Sequence, residues 1–203
     1  MAENLQPVGH PQAVVIAGPN GAGKTSAAPE LLREAVGIDA FVNADMIAQG
    51  LAGFSPESVA FEAGRIMLKR LDELAQARAN FAFESTLSGR SALRFLLGLK
   101  EVGYEVHIFY LWLPSPDVAV SRVYGRVQAG GHNVPEEAIR RRFWRGLVNF
   151  DRSYRVVATT WRLYDGSVAG ERPMIARGSE DGSITVVDHG TWTRIRRRVE
   201  ELA

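Results

Sequence analysis

A chain of 203 residues, 46% hydrophobic and 23% charged, is long enough for one sizeable core and matches neither a disordered polymer nor a membrane protein. The formal net charge of +1 argues against a general polyanion binder, so nucleic acid is not the expected partner, and zero cysteines exclude disulfides and thiolate metal sites. Met1 to Gln12 has no basic flank and no apolar signal core and reads as a polar lead-in, and the longest apolar run, Val106 to Leu113, is too short to span a bilayer. The expectation is one cytoplasmic α/β domain over residues 1–203, with no membrane attachment.

In chain order, Ala13-Val14-Val15-Ile16-Ala17 is a continuous β-branched run, the pattern of a strand buried on both faces of a parallel sheet. Glycines 18, 21 and 23 form a tight loop, and a helix follows from Lys24 to about Val36, closed by Gly37. Ile38 to Val42 predicts a short strand leading to Asn43-Ala44-Asp45. Ser55-Pro56-Glu57 then opens a long helix through Arg78, whose stripe of Phe61, Met67, Leu68, Leu71 and Leu74 reads as core. Phe81-Ala82-Phe83 is a second short strand, ending in Glu84-Ser85-Thr86. A helix over Ser91 to Glu101 and a strong strand over Glu105 to Leu113 follow. Pro116 to Gln128 and Pro135 to about Arg155 predict two helices around Ala129-Gly130-Gly131-His132-Asn133-Val134, a lid over about 116–150. Beyond Trp161-Arg162-Leu163-Tyr164 come a turn at Asp165-Gly166-Ser167, a hairpin (Met174 to Arg177 with Ser183 to Val187) and a basic helix, Thr191 to Leu202; the hairpin and helix occupy about 173–203. Alternating strands and helices imply a three-layer P-loop NTPase sandwich, its mostly parallel sheet carrying helices on both faces and ligands at the C-terminal strand ends.

The chemistry starts at Gly18-Pro19-Asn20-Gly21-Ala22-Gly23-Lys24-Thr25, a complete phosphate-binding loop between strand and helix, continuing into Ser26. Phosphates need several donors converging without intervening side chains, which a glycine loop at a helix N-terminus supplies. Lys24 is expected on the β and γ phosphates of ATP and the Thr25 hydroxyl on Mg2+. Asp45 has two readings: the general base that takes a proton from an attacking hydroxyl, or a helix N-cap. Asn43 is either a substrate contact or a turn residue. Glu84 is a candidate for Mg2+ or for a substrate hydroxyl, beside Thr86. Arg122 and Arg126, four apart on one helix face, with Arg140, Arg141, Arg142 and Arg145, flank the glycine lid. Two or three of them are expected to close on the transferred phosphate, the rest pairing with Glu136, Glu137 and Asp151 on a solvated face. His132 is a candidate lid contact. Trp161 and Trp192 read as packing residues, Arg194 and Arg196 to Arg198 as surface charge facing Glu200 and Glu201, and Tyr164 to Ser167 as a loop approaching the adenine.

Gly18 to Thr25, Asn43-Ala44-Asp45, Phe83-Glu84-Ser85-Thr86-Leu87, Arg122-Val123-Tyr124-Gly125-Arg126-Val127 with Gly130-Gly131-His132, and Arg141-Arg142-Phe143 together resemble the zeta toxin family of small P-loop kinases, in its compact chromosomal branch. The resemblance covers about Ala13 to Ser167. It implies ATP- and Mg2+-dependent phosphorylation of UDP-N-acetylglucosamine or a similar sugar nucleotide, and an antitoxin protein as partner. It also implies Asp45 as base, Lys24 and the lid arginines on the transferred phosphate, and Glu84 and Thr86 on the sugar. Gly130 to Asn133 occupies the stretch where the family pattern places its second arginine, so Arg141 or Arg142 takes that role or the role is absent. The alternatives are a nucleotide-dependent switch that releases phosphate to water, and a kinase of nucleosides, nucleic acid or antibiotics.

Overall fold

The computed structural model of the chain describes residues 9–34, 37–38, 40–131, 133–168 and 170–202. Its centre is the strand β1 (Gln12–Ala17), whose residues Ala13 to Ala17 are wholly shielded from solvent. Val14 and Ile16 join one apolar core, and Ala13, Val15 and Ala17 join another. This alternation is what a strand buried on both faces requires. With β2 (Ala40–Val42), β3 (Phe81–Ser85), β4 (Glu105–Trp112) and β5 (Thr160–Asp165) it makes a parallel array, and β6 (Met174–Ser179) and β7 (Ile184–Val186) add an antiparallel hairpin. The seven strands lie in the order β2-β3-β1-β4-β5-β6-β7.

Helices α1 (Lys24–Leu31) and α5 (Pro116–Gln128) cover one face, and α3 (Ala60–Gln76), α4 (Ser91–Glu101) and α8 (His189–Glu201) cover the other. The helix α6 (Glu136–Asn149) bridges the two cores, with Ile139 and Phe143 in one and Leu147 in the other. It continues through a π-helical turn, Phe150–Tyr154, into the short α7 (Arg155–Val157). Its chain therefore passes across the C-terminal end of β3, carrying arginines with it.

Several expected boundaries move for identifiable reasons. Pro29 lies inside α1, where it cannot donate a backbone hydrogen bond, and the helix tightens to a 3-10 turn at Leu32–Glu34; the expected end at Val36 lies outside the described residues. Ser55 provides no side-chain cap, so Pro56–Val59 forms a 3-10 turn and α3 starts only at Ala60. The α3 stripe is not all core, contrary to its sequence pattern. Leu71 and Leu74 are buried, whereas Phe61 is 84% exposed and Leu68 is 45% exposed. Trp161 is buried and stacks on Trp192 as packing. Arg196 and Arg198 are more than surface charge: Arg196 binds the buried Asp151 and lies over Trp192, and Arg198 lies over Trp144. No helix among the described residues is long and apolar enough to cross a membrane.

Candidate active site

The site begins where β1 runs into its loop. Gly18 has φ 137°, and a Cβ there would clash with the Leu111 carbonyl of β4; Gly21 has φ 79°, and a Cβ would lie 2.8 Å from the Ala119 carbonyl of α5. The loop is thus wedged between two elements at a separation only glycine permits. Gly23 caps α1 in the left-handed conformation without any side-chain hydrogen bond, so the first amides of α1 are left for a ligand. Asn20 is buried, and its Oδ1 has no partner.

Lys24 is half-buried and donates from Nζ to the Pro19 carbonyl at 3.0 Å. Burial lowers its pKa; Glu84 and Asp45 act against that shift, and the Arg126 and Arg142 guanidiniums add to it. Five charged groups from the first loop, α2 (Ala44–Leu51), β3, α5 and α6 are therefore close enough to feel one another. The register explains part of this: Ile16 pairs with Glu84 and Ala17 with Ser85, so β3 ends beside the phosphate loop.

Asn43 is the N-cap of α2. Its Oδ1 accepts from the amides of Asp45 at 2.7 Å and Met46 at 3.2 Å, while Nδ2 donates to Thr25 Oγ1 at 3.4 Å. It joins the start of α2 to the start of α1 and leaves the Asp45 side chain exposed in the first turn of α2. Burial raises the pKa of Glu84, opposed by Lys24, Thr25 and Asn43 and reinforced by Asp45. Glu84 Oε1 is buried without a partner. A buried carboxylate oxygen beside a threonine hydroxyl fits a hard cation with oxygen ligands. Among the described residues no group of three acidic or histidine side chains could hold a metal alone; an ion here needs phosphate oxygens and water as well.

The arginines flanking the expected lid divide. Arg126 and Arg142 lie close enough to Lys24 for their charges to lower its pKa. The Arg126 side chain crosses the glycine pair: Gly130 has φ 85°, the Gly131 amide donates to the Arg126 carbonyl at 2.9 Å, and a Cβ on Gly131 would lie 2.6 Å from Arg126 Cγ. Arg122 points elsewhere. Its guanidinium donates to the carbonyls of Gly166 at 2.6 Å, Gly21 at 3.5 Å and Ser167, pinning the phosphate loop to the turn after β5. Arg141 is exposed and lies 3.6 Å from Glu137 on the outer face of α6, and Arg140 binds Asp117 and Glu136. Thr86 Oγ1 is hydrogen-bonded to Ser88 Oγ at 2.8 Å, and His132 lies outside the described residues.

Two features had no clear sequence signal. A cleft of about 370 Å³ opens between α3, the end of β3 and α4, lined by Phe61, Met67, Leu68, Phe83 and Phe95, with Glu84 at its polar end. The loop after β3 is also stapled to α6: Gly146 packs so closely on the Thr86 carbonyl that a Cβ would clash, Asn149 Nδ2 donates to the Leu87 carbonyl at 2.8 Å, and Tyr154 Oη donates to the Gly89 carbonyl at 2.7 Å. A glycine inside the charged helix around it was the available hint, since glycine weakens a helix unless something passes close by.

With this geometry in place, the zeta toxin sequence profile matches residues 2–166. The chain belongs to the zeta toxin family. An uncharacterised Haemophilus influenzae protein is 30% identical over 132 residues, 65% of this chain and 92% of its own length. Among solved structures, the AvrRxo1-ORF1:-ORF2 complex with ATP superposes with TM-score 0.72 at 20% identity, over 93% of this chain and 64% of that one. This zeta toxin family chain thus spans under two thirds of that relative's length. The PezAT chromosomal toxin-antitoxin system of Streptococcus pneumoniae superposes with TM-score 0.62 at 16% identity, over 99% of this chain and 91% of that one. The two solved structures share the α/β fold of this chain.

Proposed function

We propose that this zeta toxin family member is an ATP- and Mg2+-dependent kinase that phosphorylates a hydroxyl of a small molecule. The observation that carries the reading is the convergence of Asp45, Glu84, Arg126 and Arg142 on Lys24 at the mouth of a glycine phosphate loop. The loop amides and Lys24 hold the β and γ phosphates. Asp45, exposed at the start of α2, accepts the proton of the attacking hydroxyl. Arg126 and Arg142 reach the phosphoryl group from the lid side and balance the charge on its oxygens, which is the main task of a protein in this reaction. Thr25 and Glu84 are the side chains that would hold Mg2+, directly or through water. When bound, the ion neutralises charge shared between the β and γ oxygens.

Arg122 acts at one remove, holding the phosphate loop against Gly166 and Ser167, the turn that approaches the nucleotide base. Arg141 is engaged by Glu137 and Thr86 by Ser88, so neither is assigned a part in the transfer. A switch that releases phosphate to water has no use for the cleft at Glu84, which favours the kinase. A UDP-amino sugar is the acceptor that the family resemblance implies, and it is the reference for any acceptor assay. An antitoxin is the partner proposed on the same ground; the PezAT relative is described as a toxin-antitoxin system.

Asp45→Asn tests the assignment. Its acceptor-dependent ADP release should fall by about 10²–10⁴, with ATP affinity retained. Near-normal turnover by this variant would remove Asp45 as the base.

A further inference from the structure

The bend between β3 and α4 is held in a conformation its sequence disfavours. Leu87 has φ 52°, in the left-handed region that costs any residue with a Cβ, and its side chain is buried in the core. Such a residue persists only where its surroundings leave it no alternative, and such places cluster at functional sites. Here the Leu87 amide donates to Ser85 Oγ at 3.1 Å, and the Leu87 carbonyl accepts from Asn149 Nδ2 at 2.8 Å. Two residues on, the Gly89 carbonyl accepts from Tyr154 Oη at 2.7 Å. The bend also shapes the cleft, which is lined by Glu84 and Ser85 before it and by Ser91, Ala92 and Phe95 after it.

Both donors depend on one local departure from α-helix. Asn149 and Tyr154 are five residues apart, and in a regular α-helix their side chains would diverge by about 140°. Between them the helix widens into the π turn, where the Arg155 amide donates to the Phe150 carbonyl five residues back, and both side chains reach the same bend. The turn is itself fixed by the buried Asp151, which accepts from Arg155 Nε at 3.0 Å and from Arg196 of α8. Earlier on α6, Arg142 and Gly146 share a stripe with Asn149, being four and three residues apart in turn. Gly146 lies against the Thr86 carbonyl, and Arg142 is within electrostatic reach of Lys24. One stripe of α6 therefore meets both the bend beside the cleft and the phosphate end of the site.

We infer that Asn149 and Tyr154 are positioning residues, whose two hydrogen bonds hold the bend so that Glu84 and Ser85 meet the acceptor in register with Arg142. The inference rests on the kinase reading above, and neither residue touches the reacting atoms. Loss of either donor lets Leu87 relax toward an ordinary backbone conformation. That shifts one wall of the cleft and leaves the glycine loop, which Arg122 holds, in place.

The test measures transfer of the γ phosphate of labelled ATP to UDP-N-acetylglucosamine by the full chain with Mg2+, in the wild type, Asn149→Asp and Tyr154→Phe. Each substitution keeps the side chain's shape and removes the donor. The inference expects KM for the sugar nucleotide to rise about tenfold or more in both variants, while KM for ATP stays within about twofold. A merely structural role would lower the unfolding temperature and leave this split absent at temperatures where each variant is folded. Where Asn149→Asp does not fold, Tyr154→Phe decides. An unchanged acceptor KM, or an equal rise in KM for ATP, would overturn the inference. Where the wild type leaves UDP-N-acetylglucosamine unlabelled, the same comparison is made on the organic product it labels in a small-molecule extract. A wild type that labels no organic product overturns the kinase reading and this inference with it, whereas normal transfer by both variants overturns this inference alone.

Discussion

Glu84 shows at the scale of one residue how function opposes stability. One of its oxygens is buried without a partner, and burial holds its carboxyl pKa above the ordinary value despite Lys24 nearby. Because the folded state binds this proton more tightly than the unfolded state, stability is greatest below the ordinary carboxyl pKa. It declines as pH rises toward the raised folded value, and the penalty is complete above it. Glu84→Gln removes the penalty. In urea titrations of the ligand-free protein the variant should be about 1 kcal/mol more stable at neutral pH, with the advantage vanishing in acid and turnover largely lost. A wild type more stable than the variant at neutral pH would mean that Lys24 outweighs burial at Glu84.

Elements, in this protein, are joined through backbone carbonyls. Arg122 of α5 serves the carbonyls of Gly21, Gly166 and Ser167, so Arg122→Lys should lose the planar fork that reaches all three. KM for ATP should rise about tenfold while kcat changes much less, because a misplaced nucleotide loop weakens binding before chemistry. A collapse of kcat at unchanged KM would place Arg122 on the transferred phosphate after all. Gly146→Ala pushes α6 away from the Thr86 carbonyl and should cost about 1–3 kcal/mol in thermal unfolding, with a loss of kcat because Arg142 rides on the same helix. Gly98→Ala in α4, where an added Cβ meets nothing within 4 Å, should instead stabilise by about 0.5–1 kcal/mol and leave activity unchanged.

Much of this was legible in the sequence because it is local. The glycine spacing of the phosphate loop, the β-branched run before it and the proline and glycine punctuation of α5 and its following loop each act within a few residues. Asp45 and Glu84 were legible for a different reason: a parallel sheet gathers its C-terminal strand ends. The direction of Arg122 was not readable, since an i,i+4 spacing with Arg126 says which helix face a residue shares and nothing of the carbonyls that meet it. Phe61 and Leu68 had the periodicity of core residues, and whether a helix stripe is covered depends on neighbours far along the chain.

At the scale of the whole molecule, the parallel strands bring the glycine loop, Asp45 and Glu84 together at their C-terminal ends, and α6 is held to the loop after β3 through Gly146 and Asn149. On the kinase reading proposed above, transfer to an acceptor, and not hydrolysis, is the expected outcome of ATP binding. The direct measurement follows the γ-phosphate of labelled ATP in the wild type and in Asp45→Asn, with small-molecule extracts and defined alcohols as acceptors. The account predicts that label moves into an organic small molecule with the wild type and that this product is lost with Asp45→Asn. Label appearing only in inorganic phosphate, at equal rates for both proteins, would contradict it.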